Sequence, residues 1–261
     1  MVKAEEWLIE SARERASEFG DHLRKAKPSD AIPNLNWSVA DLGQHLACLP
    51  SYWRSRNAEG VDATQPSDFA GFSDSARAHI TSQDVDELAA LIETEFGAFL
   101  DELTEWNDVF WIFGTPVSAS QLAAIAINEF IVHGRDLAAA TGQPLPRHTS
   151  QEALAAAEAT LVMAPAFVDA TKAKSQPDGV YHVRFRGGGD WTWEKRGGEL
   201  LVGQGKPPKV DAHLFADPEA FVLSSLGRIG QITPALTGKT IAYGRKPWRL
   251  LGLGKIVADG V

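Results

Sequence analysis

Asn128-Glu129-Phe130-Ile131-Val132-His133 is the stretch on which the reading of this chain turns. In a helix, residues four apart stand on one face about one turn apart. Glu129 and His133 therefore offer a carboxylate oxygen and an imidazole nitrogen side by side. The flanking residues, Leu122 to Ile127 and Phe130 to Val132, are apolar. A carboxylate on so apolar a helix must be paired or bound to a metal, because burying it bare costs several kcal/mol. A histidine far upstream, His45 in Asp41-Leu42-Gly43-Gln44-His45-Leu46, is the third candidate ligand. Two histidines and a glutamate around one divalent ion, with a position left open, form the donor set of a catalytic zinc site. The plainer alternatives are a hydrogen-bonded core histidine and a solvated helix pair.

Working outward, Ser118 caps this helix, which runs to about Thr141, where Gly142 and Pro144 stop it. Upstream, residues 3–26 carry Trp7, Leu8, Ala12, Ala16, Phe19 and Leu23 near the helical period, and Pro28 and Pro33 end that element. Ser38 and Asp41 form a near capping box. It opens a helix through Leu42, His45, Leu46, Leu49, Tyr52 and Trp53, which Pro50 should kink. A third helix fits Val85 to Leu103, with Leu88, Leu91, Ile92, Phe96 and Leu100 on one side. Residues 57–80 read as a long surface connection. Trp106, Trp111, Gly114 and Pro116 mark a tryptophan-rich loop before the fourth helix. Four amphipathic helices predict a four-helix bundle whose core can hold a metal.

An alanine-rich fifth helix is predicted at about 150–170. Lys172 to Asp178 reads as a linker, which gives a helical bundle over 1–170 and a small α+β domain over 178–261. There the periodicity changes to two. Val180 to Arg186 alternates like a half-buried strand, Gly187-Gly188-Gly189-Asp190 turns, and Trp191 to Glu194 returns as a hairpin. A strand near 209–215 is followed by a helix capped by Asp217 with Pro218 in its first turn. One more strand lies near 239–243. The basic, aromatic segment Arg245 to Leu251 reads as a packed C-terminal helix.

The chain has 261 residues, 44% hydrophobic and 23% charged, with a net charge of −9. That acidity argues against a nucleic-acid surface, which would be basic. The single cysteine, Cys48, excludes an intrachain disulfide and a cysteine-based zinc knuckle. No basic start with an apolar run, and no apolar stretch of roughly 20 residues, is visible. The expectation is a cytoplasmic protein without a membrane span, a monomer or homodimer acting on small molecules. Asp41 lies one turn before His45 and Asp136 three residues after His133. Either could accept the free imidazole N–H and fix its tautomer, or serve as a helix cap or surface charge.

Trp37-Ser-Val-Ala-Asp41-Leu-Gly-Gln-His45-Leu, Asn128-Glu129-Phe-Ile-Val-His133-Gly134-Arg135-Asp136-Leu-Ala and Thr141-Gly142-Gln-Pro144 together resemble the mycothiol-dependent maleylpyruvate isomerase family. That resemblance implies a DinB-like metal-binding four-helix bundle over the first 150 or so residues. The later segments Ala212-His-Leu-Phe-Ala-Asp-Pro-Glu-Ala, Leu226-Gly227-Arg228 and Gly238-Lys239 are similar to that family's C-terminal domain, a sterol-carrier-protein-2-like fold. It further implies a Zn2+ or other divalent ion held by His45, Glu129 and His133, with mycothiol or a similar thiol as cosubstrate. Zinc favours the thiolate, which is the nucleophile. In the isomerase the thiolate adds to a cis double bond, the bond rotates, and the thiol leaves. Arg228 matches the arginine expected to clamp substrate carboxylates.

Several signals fail. Thr237-Gly238-Lys239-Thr240 looks like the end of a P-loop, but Thr233 stands where its first glycine is required. Gly203-Gln-Gly205 has no third glycine. Cys48, three residues from His45, is read as a small buried thiol. His22, His79, His148, His182 and His213 show no partner pattern. Three functions compete: a zinc- and thiol-dependent isomerase or S-transferase, a non-catalytic protein binding a metal and an apolar ligand in the second domain, and a regulatory or stress protein.

Overall fold

The computed structural model describes residues 5–33, 35–59, 77–105, 109–112 and 114–256, with backbone alone at 56–59. The chain forms two compact units, the second beginning at residue 156.

In the first unit four long helices pack together: α1 (Glu6–Leu23), α2 (Val39–Glu59), α3 (Val85–Glu105) and α4 (Ala119–Thr141). The helical periodicity is what builds this bundle. Leu8, Ala12, Ala16, Phe19 and Leu23 of α1 are buried, as are Leu88, Ile92, Phe96, Phe99 and Leu100 of α3. Gly43 of α2 is a point of close approach, where a Cβ would meet Leu88 at 3.0 Å and Leu23 at 3.3 Å. Helix α4 is buried around nearly its whole circumference, from Leu122 through Ile127 and again over Phe130–Gly134, as its composition demands. Ser118 caps it in a full capping box with Gln121, and Gly142 ends it in the left-handed region at φ 70°.

The tryptophan-rich segment corrects one expectation. Its described part is an antiparallel hairpin of β1 (Phe110–Ile112) and β2 (Thr115–Val117), with Phe110, Ile112 and Val117 buried. Trp106 and residues 60–76 of the expected connection lie outside the described residues, and α2 extends to Glu59 past the connection's expected start.

Helix α5 (Ser150–Met163) crosses from the first unit into the second and gives way to a 3-10 turn at Ala164–Phe167. The segment read as a linker is ordered. Helix α6 (Ala170–Lys174) occupies its start, capped by Asp169 through the N–H groups of Thr171 and Lys172. The buried Lys195 ammonium then donates to Gln176 O (2.5 Å) and Asp178 Oδ1 (2.8 Å), which pins the remainder.

The second unit is a five-stranded sheet in the order β5-β4-β3-β6-β7. The strands are β3 (Gly179–Phe185), β4 (Asp190–Arg196), β5 (Glu199–Gln204), β6 (Ala212–Ala216) and β7 (Thr240–Gly244). Strands β3 and β6 are parallel and the other pairings antiparallel. One face buries Tyr181, Val183, Phe185, Trp191 and Trp193. Phe221 of α7 (Pro218–Ser225) packs there, 4.9 Å from Phe185 and 6.0 Å from Trp193 between ring centres. Asp217 caps α7 as its sequence requires. Strand β5 escapes the pattern because it lies at an edge, where only Leu200 is buried. Two short helices follow in the tail, α8 (Ile232–Leu236) and α9 (Leu250–Leu253).

Candidate metal centre

Helix α2 brings His45, and α4 brings Glu129 and His133, to one place in the bundle. Among the described residues they are the group of three His, Cys, Asp or Glu side chains whose donor atoms all lie within 4.8 Å of one another. Glu129 Oε2 stands 3.6 Å from His45 Nε2 and 3.3 Å from His133 Nε2. A tetrahedral zinc ion with bonds of about 2.0–2.1 Å spaces its ligand atoms about 3.3–3.4 Å apart. The donor set thus fits one such ion in type, number and spacing. The His45 and Glu129 side chains keep 13% and 24% exposure, so the site is not sealed from a ligand.

Asp136 takes the role of tautomer-fixing carboxylate. Its Oδ2 lies 2.9 Å from His133 Nδ1, and both side chains are buried. With the proton on Nδ1, the His133 Nε2 lone pair points into the cluster. Asp41 takes its capping role instead. Its Oδ2 accepts from Ser38 N–H (2.8 Å) and Ser38 O–H (2.7 Å), and Oδ1 meets Arg77 at 3.0 Å.

The two imidazoles are electrostatically unlike. Burial pushes His45 down, and His133 and Arg77 add to that against the pull of Glu129, so His45 is held below its ordinary value. Burial also acts on His133, but hydrogen bonds to Asp136 and Glu129 outweigh it and raise the ring. Burial likewise works against the Glu129 carboxylate, yet both histidines hold it far below the carboxylate range. Protons and a metal ion compete for this arrangement, since the ligating imidazoles must be neutral.

Two further residues wall the cluster. The Trp37 ring lies 5.0 Å from the His45 ring and 6.2 Å from that of His133. The Arg77 guanidinium sits over Trp37 at 4.6 Å. Trp37 belongs to a motif already visible in the sequence, whereas nothing near Arg77 announces its place. Cys48 is buried, its thiol donates to His45 O (3.1 Å), and burial pushes it up to about 11. It is a packed, unreactive thiol. Arg228 follows α7 in the second unit, half-buried, with Nη1 donating to Leu226 O at 2.7 Å.

Residues 9–138 match the family described as mycothiol maleylpyruvate isomerase N-terminal domain. The chain belongs to the mycothiol-dependent maleylpyruvate isomerase family. All three candidate ligands fall inside that match. Among solved structures, the crystal structure of the mycothiol-dependent maleylpyruvate isomerase is 17% identical, with a TM-score of 0.48 over 87% of this chain and 90% of that one. A histidine-to-alanine mutant of the isomerase is 16% identical, with a TM-score of 0.48 over 91% and 92% of the two chains. The inverting sec-alkylsulfatase Pisa1 from Pseudomonas sp. is 12% identical, with a TM-score of 0.38. This chain covers only 33% of that protein's length. No curated protein matches the chain. No described helix is long and apolar enough to cross a membrane.

Proposed function

We propose that this protein is a metal-dependent enzyme that uses a low-molecular-weight thiol, mycothiol or a close analogue, to isomerise a small unsaturated substrate or to transfer the thiol onto it. The observation that supports it most is the convergence of His45, Glu129 and His133 with Asp136 behind His133. A zinc ion held by the three would supply charge that favours the thiolate over the thiol. Glu129 and a neutral His45 offer their lone pairs. Asp136 keeps the proton of His133 on Nδ1, on the side away from the cluster. Trp37 excludes water from one side of the imidazoles.

The reaction class needs no nucleophile from the chain, and buried Cys48 is unsuited to be one. In cis-trans isomerisation the thiolate sulfur bonds to one alkene carbon, and the double bond becomes a rotatable single bond. Rotation and loss of the same sulfur restore the alkene in the trans form. In S-transfer the sulfur stays and a proton is taken up at the neighbouring carbon. Arg228 is assigned to a substrate carboxylate, for which a guanidinium fork is suited.

Elemental analysis of the purified protein beside a Glu129→Ala, His133→Ala double variant tests this. The expected result is about one zinc per chain in the wild type and none in the variant. Mycothiol should then perturb only the metal-loaded wild type. A wild type that takes up no zinc when supplied with it would sink the proposal.

A further inference from the structure

The sheet of the second unit carries another cluster of ionisable side chains on the face opposite its buried aromatics. The parallel register of β3 and β6 sets His182 beside His213. Their Nδ1 atoms are 2.9 Å apart and their rings nearly perpendicular, at 88°. His182 is buried, and its Nε2 lies 2.7 Å from Asp190 Oδ1 at the start of β4. His213 stacks on Tyr243 of β7, with ring centres 4.7 Å apart and planes within 10°. Both imidazoles are thus fixed in orientation, one by a carboxylate and one by an aromatic ring.

Counting protons shows what the pair is built around. With the Asp190 carboxylate accepting the Nε2–H, a neutral His182 keeps its lone pair on Nδ1. That lone pair faces Nδ1 of His213 across the 2.9 Å contact. A shared proton lies between the two nitrogens, whereas an ion bound by both lies to one side of the line joining them. Two ligands at right angles, with bonds of about 2.0–2.1 Å to a metal, stand about 2.9 Å apart. The carboxylate behind His182 matches the way ligating histidines are oriented by a group on the other ring nitrogen. Burial, His182 and Lys206 lower the affinity of His213 for an extra proton. Of the charged groups facing the pair, Lys206 opposes a bound cation and Asp190 favours it.

We propose that His182 and His213 form a second cation site, distinct from the His45–Glu129–His133 cluster, for an imidazole-preferring divalent ion such as Ni2+ or Cu2+. Asp190 is its positioning residue. The remaining coordination positions belong to water or to a small anionic chelator. Binding moves the hydrogen between the two Nδ1 atoms onto Nε2 of His213, so two neutral rings ligate the ion with no net loss of protons.

The test uses the full chain carrying Glu129→Ala and His133→Ala, so that failure of the first site cannot be mistaken for failure of this one. Ni2+ alone is titrated by calorimetry in two buffers of different ionisation enthalpy. One equivalent of Ni2+ is expected, with the same heat in both buffers, because two neutral rings bind without net proton release. His213→Ala should abolish it, and Asp190→Asn should weaken it by about 10–100-fold. Binding that is equal in the His213→Ala variant would overturn the proposal. Because His213→Ala could fail to fold, imidazole 15N spectra of the parent variant provide a second reading. Ni2+ should selectively broaden the resonances of His182 and His213. Unaltered resonances, the result for a pair that binds only a proton, would also overturn it.

Discussion

At the scale of single residues, the site separates into what spacing reveals and what only folding reveals. Glu129 and His133 are four apart on an apolar helix, so their shared face is written in the chain. His45 is 84 positions before Glu129, and only the packing of α2 against α4 brings Nε2 to 3.6 Å from the carboxylate. The two aspartates show the difference more sharply. Asp41 and Asp136 have equal claims on a histidine by spacing, yet Asp41 closes a capping box with Ser38 while Asp136 reaches His133. Ser38 decides this, since its N–H and O–H both lie within reach of Asp41. Asp136→Asn keeps the shape of the side chain but removes its charge. It is expected to weaken zinc affinity by about 10–100-fold, read by competition with a chelating dye, while thermal stability without metal changes much less. Unchanged affinity would mean that Asp136 serves packing alone.

At the scale of elements, legibility follows burial and length. The four long helices and their caps can be read because each buries a wide apolar stripe and begins or ends on a residue suited to that place. The strands β3 and β4 alternate visibly because one of their faces is buried. Strand β5 and helices α6 and α8 do not announce themselves. The helices have five residues each, and β5 is an edge strand whose Leu201 is 47% exposed. His182 and His213 are likewise unreadable as a pair, because their contact is a matter of strand register. Phe96 of α3 is fully buried, with ring centres 4.7 Å from Phe130 of α4 and 5.9 Å from Trp53 of α2. Phe96→Ala leaves a cavity where three helices meet. It is expected to cost about 3–5 kcal/mol of stability, measured by urea denaturation of the metal-free protein. A loss below about 1 kcal/mol would show that the bundle collapses into the space or draws little from this contact.

At the scale of the whole molecule, the family match ends at residue 138, before the sheet unit begins. Its ends are tied by ion pairs. Asp211 meets Lys246 at 2.9 Å and Arg249 at 3.4 Å, and Asp178 meets Lys195 at 2.8 Å. The Asp211 carboxyl is lowered, chiefly by its bond to Lys246, and Asp178 is lowered chiefly by Lys195. A carboxyl with a lower pKa in the folded state binds protons more weakly there than when unfolded. Its stabilising effect is therefore complete above the unfolded carboxylate value and is lost as pH falls through the folded one. Between neutral pH and about pH 3, near and below the ordinary aspartate value, the amides of β3 and β6 should lose protection from hydrogen exchange. An Asp178→Asn, Asp211→Asn variant should start less protected at neutral pH and show a shallower decline. The two substitutions remove only these carboxylates, so the difference in slope reports them. Parallel slopes in the two proteins would place the acid sensitivity of the sheet unit elsewhere.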